Sequence, residues 1–236
     1  YSTRGKSYLQ VMEDMMVEEA EVRLIKDGRS FLLESTSKGI HALVGPSWNA
    51  GTEVGLEIRD KEGKLKAKAV SVVQALPEIN RLDVWGEKKG SDTLFQVDLS
   101  IRTEADKNSW YLVTLNKSSD LERLKVNGKK GLGDVLSDRA LKEKRAWLVE
   151  QPGGRIELNL KQELPWLEGS DSLVVQVSRL EEPYYHYLDQ MMKADSWYFQ
   201  LSGEILRLQG NVRGGYGYFS LHSGIFRLFT LNDRVR

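Results

Sequence analysis

Cysteine is absent from the 236 residues, which excludes disulfides, thiolate-bound zinc and a cysteine nucleophile within this stretch. An excess of either charge is missing too, because 34 basic and 34 acidic side chains cancel. Without net charge there is no long-range field to gather DNA, RNA or an anionic membrane surface, so nucleic-acid binding is not expected. No apolar run approaches the roughly 18 residues that a bilayer-crossing helix needs. The opening residues, 1–10, also lack the basic-then-apolar order of a signal peptide.

Histidine is scarce. His41, His186 and His222 stand too far apart to form an HxxxH or HExxH ligand pair, and each reads as structural. His186, set among tyrosines, is the first to consider if distant residues assemble in space. The glycine clusters match neither a phosphate loop nor a dinucleotide fingerprint, whose spacing makes backbone amides converge on an anion at a helix N-terminus. Gly131-Leu-Gly133 lacks a third glycine. Ser35-Thr-Ser-Lys38 has the Ser-x-x-Lys spacing of penicillin-interacting enzymes, but it falls in a strand-to-strand turn without the companion motifs. Asp60-Lys-Glu-Gly63 and the stretch from Asp134 to Asp138 lack the alternating oxygen ligands and closing Glu of a calcium loop. No catalytic residue, metal or cofactor is therefore expected.

Strand patterns fill most of the chain. Phe95, Val97, Leu99 and Ile101 alternate with Gln96, Asp98 and Ser100, the period of two that puts one face on a core and the other in water. Val22-Arg-Leu24, Val54-Gly-Leu-Glu-Ile58, Leu65-Lys-Ala-Lys-Ala69 and Ile156-Glu-Leu-Asn-Leu160 repeat it. Asp27-Gly28 supplies the positive φ angles of a tight hairpin, and Lys61-Glu-Gly63 does the same between the next pair of strands. Ala75-Leu-Pro-Glu-Ile-Asn-Arg81 puts a proline, which cannot donate to a ladder, between two strand-rich halves. The expectation is an all-β protein of two Ig-like β-sandwich domains, 1–77 and 78–236.

One short helix is expected in the second domain, from about Glu182 to Lys193. Pro183 suits a first helical position, Glu181 and Glu182 favour the positive end of the dipole, and Tyr184, Tyr187, Leu188 and Met191 recur at helical spacing. Leu132 to Lys144 carries a weaker helical pattern among many charges. Six tryptophans are numerous for this length. Exposed tryptophans stack on sugar rings or anchor protein interfaces, although core packing is their commoner role. Trp48, Trp166 and Trp197, beside Pro46, Pro165 and Ser196, are the candidate contacts for a partner or ligand.

The most distinctive order lies near the C-terminus. The apolar strand Asp171-Ser-Leu-Val-Val-Gln-Val-Ser178 and the aromatic helix are followed by Gln209-Gly-Asn-Val-Arg-Gly-Gly-Tyr-Gly-Tyr-Phe219. Within that turn Asn211, Gly214, Gly215, Gly217, Tyr218 and Phe219 read as structural. The glycines permit a bulge or close backbone approach, Gly215 is expected to need positive φ or close approach, and Tyr218 to Leu221 looks like a strand. This order, together with the Gly-turn, strand, charged Gly hairpin and strand from Gly45 to Pro77 that lead into Pro-x-Ile, resembles a family of Bacteroidetes outer-membrane lipoproteins of unknown function. Members are often encoded beside TonB-dependent receptors. The loose match extends from about Val22 to Phe219.

The resemblance implies a non-catalytic lipoprotein, lipid-anchored at the outer membrane and accessory to a TonB-dependent receptor in substrate capture or uptake. It implies a membrane link only through a lipidated cysteine, which with the family's opening strand would precede this stretch. A free-standing glycan- or peptide-binding module using exposed aromatics is the alternative, and an enzyme with a spatially assembled site the third. Exposed tryptophans in a groove favour the module, a flat apolar patch the accessory role, and convergent histidines and carboxylates the enzyme.

Overall fold

The computed structural model describes residues 20–37, 40–43, 47–89, 92–104, 107–117, 145–165, 172–194 and 208–230. The chain divides into two compact units, the first made of residues 1–48, 53–71 and 210–219, the second of 49–52, 72–209 and 220–236. The boundary expected near residues 75–81 is irregular only up to residue 77, in a stretch that starts at 73, because a strand already starts at Glu78. Residues 210–219, placed by the sequence reading in the second half, belong to the first unit.

In the first unit β1 (Glu21–Lys26), β2 (Arg29–Leu32), β5 (Glu53–Arg59) and β6 (Leu65–Val72) form a sheet in the order β2-β1-β5-β6, beside a separate pair of β3 (Glu34–Ser37) and β4 (Ile40–Ala42). The hairpin expected at Asp27-Gly28 is present: φ is 48° and 72° at these residues, and Lys26 pairs with Arg29 across the turn. Two successive positive φ angles give a turn whose twist matches that of the strands it joins. The second hairpin closes with Gly63 at φ 77° and the Gly63 N–H on the Asp60 carbonyl at 2.9 Å. Val22, Leu24 and Val54 are buried, as are Ala67, Ala69 and Ser71 at alternate positions of β6. Ser35 stands in β3, not on a helix, so the spacing that would bring a lysine beside it as in a Ser-x-x-Lys enzyme is lost.

The second unit is a sandwich. Strands β7 (Glu78–Lys89), β8 (Asp92–Arg102) and β11 (Arg155–Pro165) form one sheet in the order β11-β8-β7. The other, β10-β9-β12-β13, contains β9 (Ser109–Lys117), β10 (Ala146–Gln151), β12 (Ser172–Leu180) and β13 (Gly224–Thr230). Seven strands split three and four between two antiparallel sheets are the Ig-like architecture. The alternation in β8 is realised, because Phe95, Val97, Leu99 and Ile101 are all at most 1% exposed. They pack with Tyr111, Val113, Leu115, Val175, Val177 and Phe229. Each such burial contributes about 1.5–3 kcal/mol before entropy is subtracted.

The helix α1 (Glu182–Ala194) forms where expected, with the Tyr185 N–H on the Glu181 carbonyl at 3.0 Å. It packs on β9 and β10, burying Tyr187 and Leu188. The outer face of β9 and β12 is therefore not the solvated face that alternation implies. Thr114, Asn116, Gln176 and Ser178 form a buried polar row there, with Asn116 Nδ2 donating to Thr114 Oγ1 and Gln176 Nε2 to Ser178 Oγ, both at 3.2 Å. The weaker helical pattern at Leu132 to Lys144 lies outside the described residues.

One expected strand does not form. Tyr218 to Leu221 is irregular, and β13 begins only at Gly224. The reason is local, since the Asn211 side chain takes both backbone groups of Phe219 that a neighbouring strand would otherwise bond.

Candidate functional site

The Gln209–Phe219 turn is tied to the edge of β6 by backbone and side chain together. Arg213 and Lys68 exchange N–H to carbonyl bonds of 2.8 and 3.0 Å, and Asn211 Nδ2 donates to the Val70 carbonyl at 3.0 Å. The same Asn211 donates to the Phe219 carbonyl and accepts from the Phe219 N–H, each at 2.8 Å, closing the loop across eight residues.

Within the loop the glycines have unequal roles. Gly214 has φ 89°, and a Cβ on it would lie 2.2 Å from the Lys66 carbonyl oxygen. Gly217 has φ 121°. Gly215, expected to be the demanding position, is outside the left-handed region, and a Cβ there would meet only Val212 Cγ1 at 3.6 Å and Ala67 Cβ at 3.7 Å, ordinary contacts. Against β6 the close approach falls on Gly214, and within the loop Gly210 is constrained too, since a Cβ on it would run into the Gly217 carbonyl. Between Gly215 and Gly217 the loop projects Tyr216, 84% exposed. A large aromatic ring in water at the tip of a braced loop is positioned for contact, and sequence reasoning had not singled it out. Its signal was an aromatic residue flanked by glycines, which leave nothing beside it to pack on.

The other candidates are scattered. Trp48 is half-buried in the first unit, edge-on to Phe31 with ring centroids 5.9 Å apart and planes at 69°. Trp166 and Trp197 lie outside the described residues. Trp85, on β7 of the second unit, is 39% exposed, and its environment separates it from the buried tryptophan role that core packing gives by default.

Around α1 the fold brings aromatic groups together. Tyr184 stacks on Tyr187 with centroids 6.4 Å apart, and His222 lies 5.7 Å from Tyr184. His186 is exposed, edge-on to Tyr185, with Nε2 3.8 Å from Glu182. Burial raises the pKa of the Tyr185 hydroxyl. His41 lies apart on β4, where burial lowers its pKa and favours the neutral ring. Among the described residues no three His, Asp or Glu side chains gather as metal ligands.

The shifted carboxylates belong to surface ion pairs. Asp60 is lowered first by its hydrogen bond to Lys66, whose Nζ is 2.9 Å away, and then by the Lys64 and Glu62 amides that bond its Oδ1. Glu21 and Glu104 are lowered by Arg23 and Lys107 in the same way. Each pair fastens a turn or strand end. Among the described residues no helix is long and apolar enough to cross a membrane.

The geometry defines an all-β protein of two units in which a braced glycine turn carries an exposed tyrosine. The chain belongs to the family described as a domain of unknown function (DUF4249), whose profile matches residues 3–223, the turn included. No curated protein matches it in sequence. A solved structure titled "Cytokine receptor complex - Crystal form 1A" aligns over 71% of this chain and 77% of its own at 12% identity, with a TM-score of 0.22.

Proposed function

We propose that this protein is a non-catalytic outer-membrane lipoprotein of Bacteroidetes, an accessory to a TonB-dependent receptor that helps capture or hand over the receptor's substrate. The observation that carries the reading is the braced turn, with Tyr216 exposed on a backbone fixed by Asn211, Arg213 and Gly214. A contact residue held on a preformed loop loses little conformational entropy on binding, and tyrosine is enriched among the residues that dominate interface energies. Membership of a family without assigned chemistry is compatible with such a role. The receptor, the lipid anchor and the outer membrane enter through the resemblance described above.

Exposed Tyr216 and Trp85 also favour a second reading, a glycan- or peptide-binding module in which rings stack on ligand faces. One experiment separates the two. The tagged full-length protein is extracted from outer membranes in mild detergent and its companions are identified, with wild type beside Tyr216→Ala. The accessory reading expects a TonB-dependent receptor to co-purify, with retention falling in Tyr216→Ala at unchanged melting temperature. Zero net charge makes that retention weakly dependent on salt. A protein that emerges alone, yet binds an oligosaccharide through Tyr216, replaces the accessory with the module.

A further inference from the structure

Edge strands expose a row of backbone donors and acceptors, and soluble proteins guard them with short length, charge, bulges or cover. In this chain the guards are visible at most edges. β2 is four residues long. β6 is bonded by Asn211 and Arg213. β7 carries a bulge between Ile79 and Arg81, and β11 carries Arg155, Glu157, Lys161 and Glu163. β10 has α1 packed against it.

β13 differs. It is the outer strand of the order β10-β9-β12-β13 and pairs with β12 in unbroken register from Gly224↔Ser178 to Thr230↔Ser172. It contains no proline, lysine or acid. On the face opposite the buried Phe229 it exposes Phe226 (47%) and Leu228 (63%), and Arg227 between them is exposed with no ion-pair partner among the described residues. Its seven residues span about 23 Å, and no further strand pairs with it among the described residues.

We infer that the β13 edge is a docking site for an extended segment of another protein, which adds a strand to the sheet. The backbone ladder selects an extended partner, Phe226 and Leu228 select apolar side chains on one of its faces, and Arg227 selects an acidic residue on the other. The charge disfavours a second copy in this place. Antiparallel self-pairing centred on Arg227 sets two guanidinium groups opposite each other, and β13 has no acid to meet them. The inference concerns the second unit alone and does not rest on the role proposed for Tyr216.

The test uses the full chain and a synthetic end-blocked heptapeptide, Ser-Thr-Val-Glu-Val-Thr-Ser. In antiparallel register its valines fall opposite Leu228 and Phe226 and its glutamate opposite Arg227. The expected result is saturable binding that slows amide hydrogen exchange in residues 224–230. Phe226→Lys and Leu228→Lys should each weaken it at least about tenfold, equivalent to about 1.4 kcal/mol. Both positions are exposed, so melting temperatures should stay within about 2 °C of wild type, which separates lost docking from lost fold. A peptide with lysine in place of glutamate should bind more weakly, and one N-methylated at alternate residues should not bind. No binding at about 1 mM peptide, the weak end of measurable affinity, overturns the proposal. So does binding that leaves β13 exchange unchanged, or that Phe226→Lys does not affect. Concentration-dependent dimers of the chain that Phe226→Lys abolishes would give the edge to a second copy and overturn the assignment to a partner strand.

Discussion

The side chain of Asn211 grips the backbone of Phe219 twice, accepting from its N–H and donating to its carbonyl at 2.8 Å each. One amide thereby does for Phe219 what an adjacent strand does for a ladder residue. The same Nδ2 also donates to the Val70 carbonyl. Alanine at 211 removes all three bonds and should destabilise the protein by about 1–3 kcal/mol. Aspartate removes the donor and sets a carboxylate against two carbonyls, so it should cost at least as much at pH 7 and recover part of the loss below about pH 4, where the protonated acid donates once. Urea midpoints at the two pH values check both outcomes.

Gly214→Ala and Gly215→Ala should part company. At Gly214 the methyl meets the Lys66 carbonyl at 2.2 Å under a positive φ, and the expected loss exceeds about 2 kcal/mol. At Gly215 the nearest atoms are 3.6 Å away or more, so alanine should be neutral within about 0.5 kcal/mol. Equal midpoints for the two variants would mean that the turn does not approach β6 as described.

Asp60 makes the β5–β6 hairpin acid-sensitive. Lys66 holds its folded pKa below the unfolded value, so its contribution is complete at neutral pH, above the unfolded value near 3.9, and is lost as pH falls through the folded one. Asp60→Asn should therefore melt below wild type at pH 7, with the gap closing as pH drops toward about 2. A gap that persists there would assign the effect to something other than the ion pair.

Gly86 makes room for the ring opposite it. It pairs with Phe95 across β7 and β8, and a Cβ on it would come within 2.8 Å of Phe95 Cε1 and Thr93 Cγ2. Gly86→Ala should cost about 1–3 kcal/mol by overpacking. In a Phe95→Leu background it should cost less, a coupling that a double-mutant cycle measures.

Chelation should leave the melting temperature unchanged, because the histidines stand apart in sequence and no cluster of three ligand-type side chains forms among the described residues. A drop of several degrees with chelator, reversed by calcium, would point first to the stretch from Asp134 to Asp138.

Much of the fold was legible because it rests on short-range rules. The alternation at Phe95 to Ile101, the Asp27-Gly28 turn and the helix after Pro183 need only neighbours a few residues away, and all three appear. The candidate site was less legible. The turn stood out as glycines and aromatics, but which glycine is constrained depends on Lys66, nearly 150 positions upstream and brought close only by folding. Tyr216 was hidden for the same reason, since exposure is a property of what does not pack nearby.

The sequence by itself determined strand-rich architecture, the hairpin turns and the aromatic helix, because period, φ preference and capping act locally. Tertiary structure alone decided that residues 210–219 return to the first unit, where Asn211 and Arg213 find Val70 and Lys68. It alone buried Gln176 and Ser178, whose alternating pattern reads as solvent-facing. And it alone set β13 at the outer position of its sheet, because the order of strands in a sheet is set by pairings between distant residues, which no local pattern encodes.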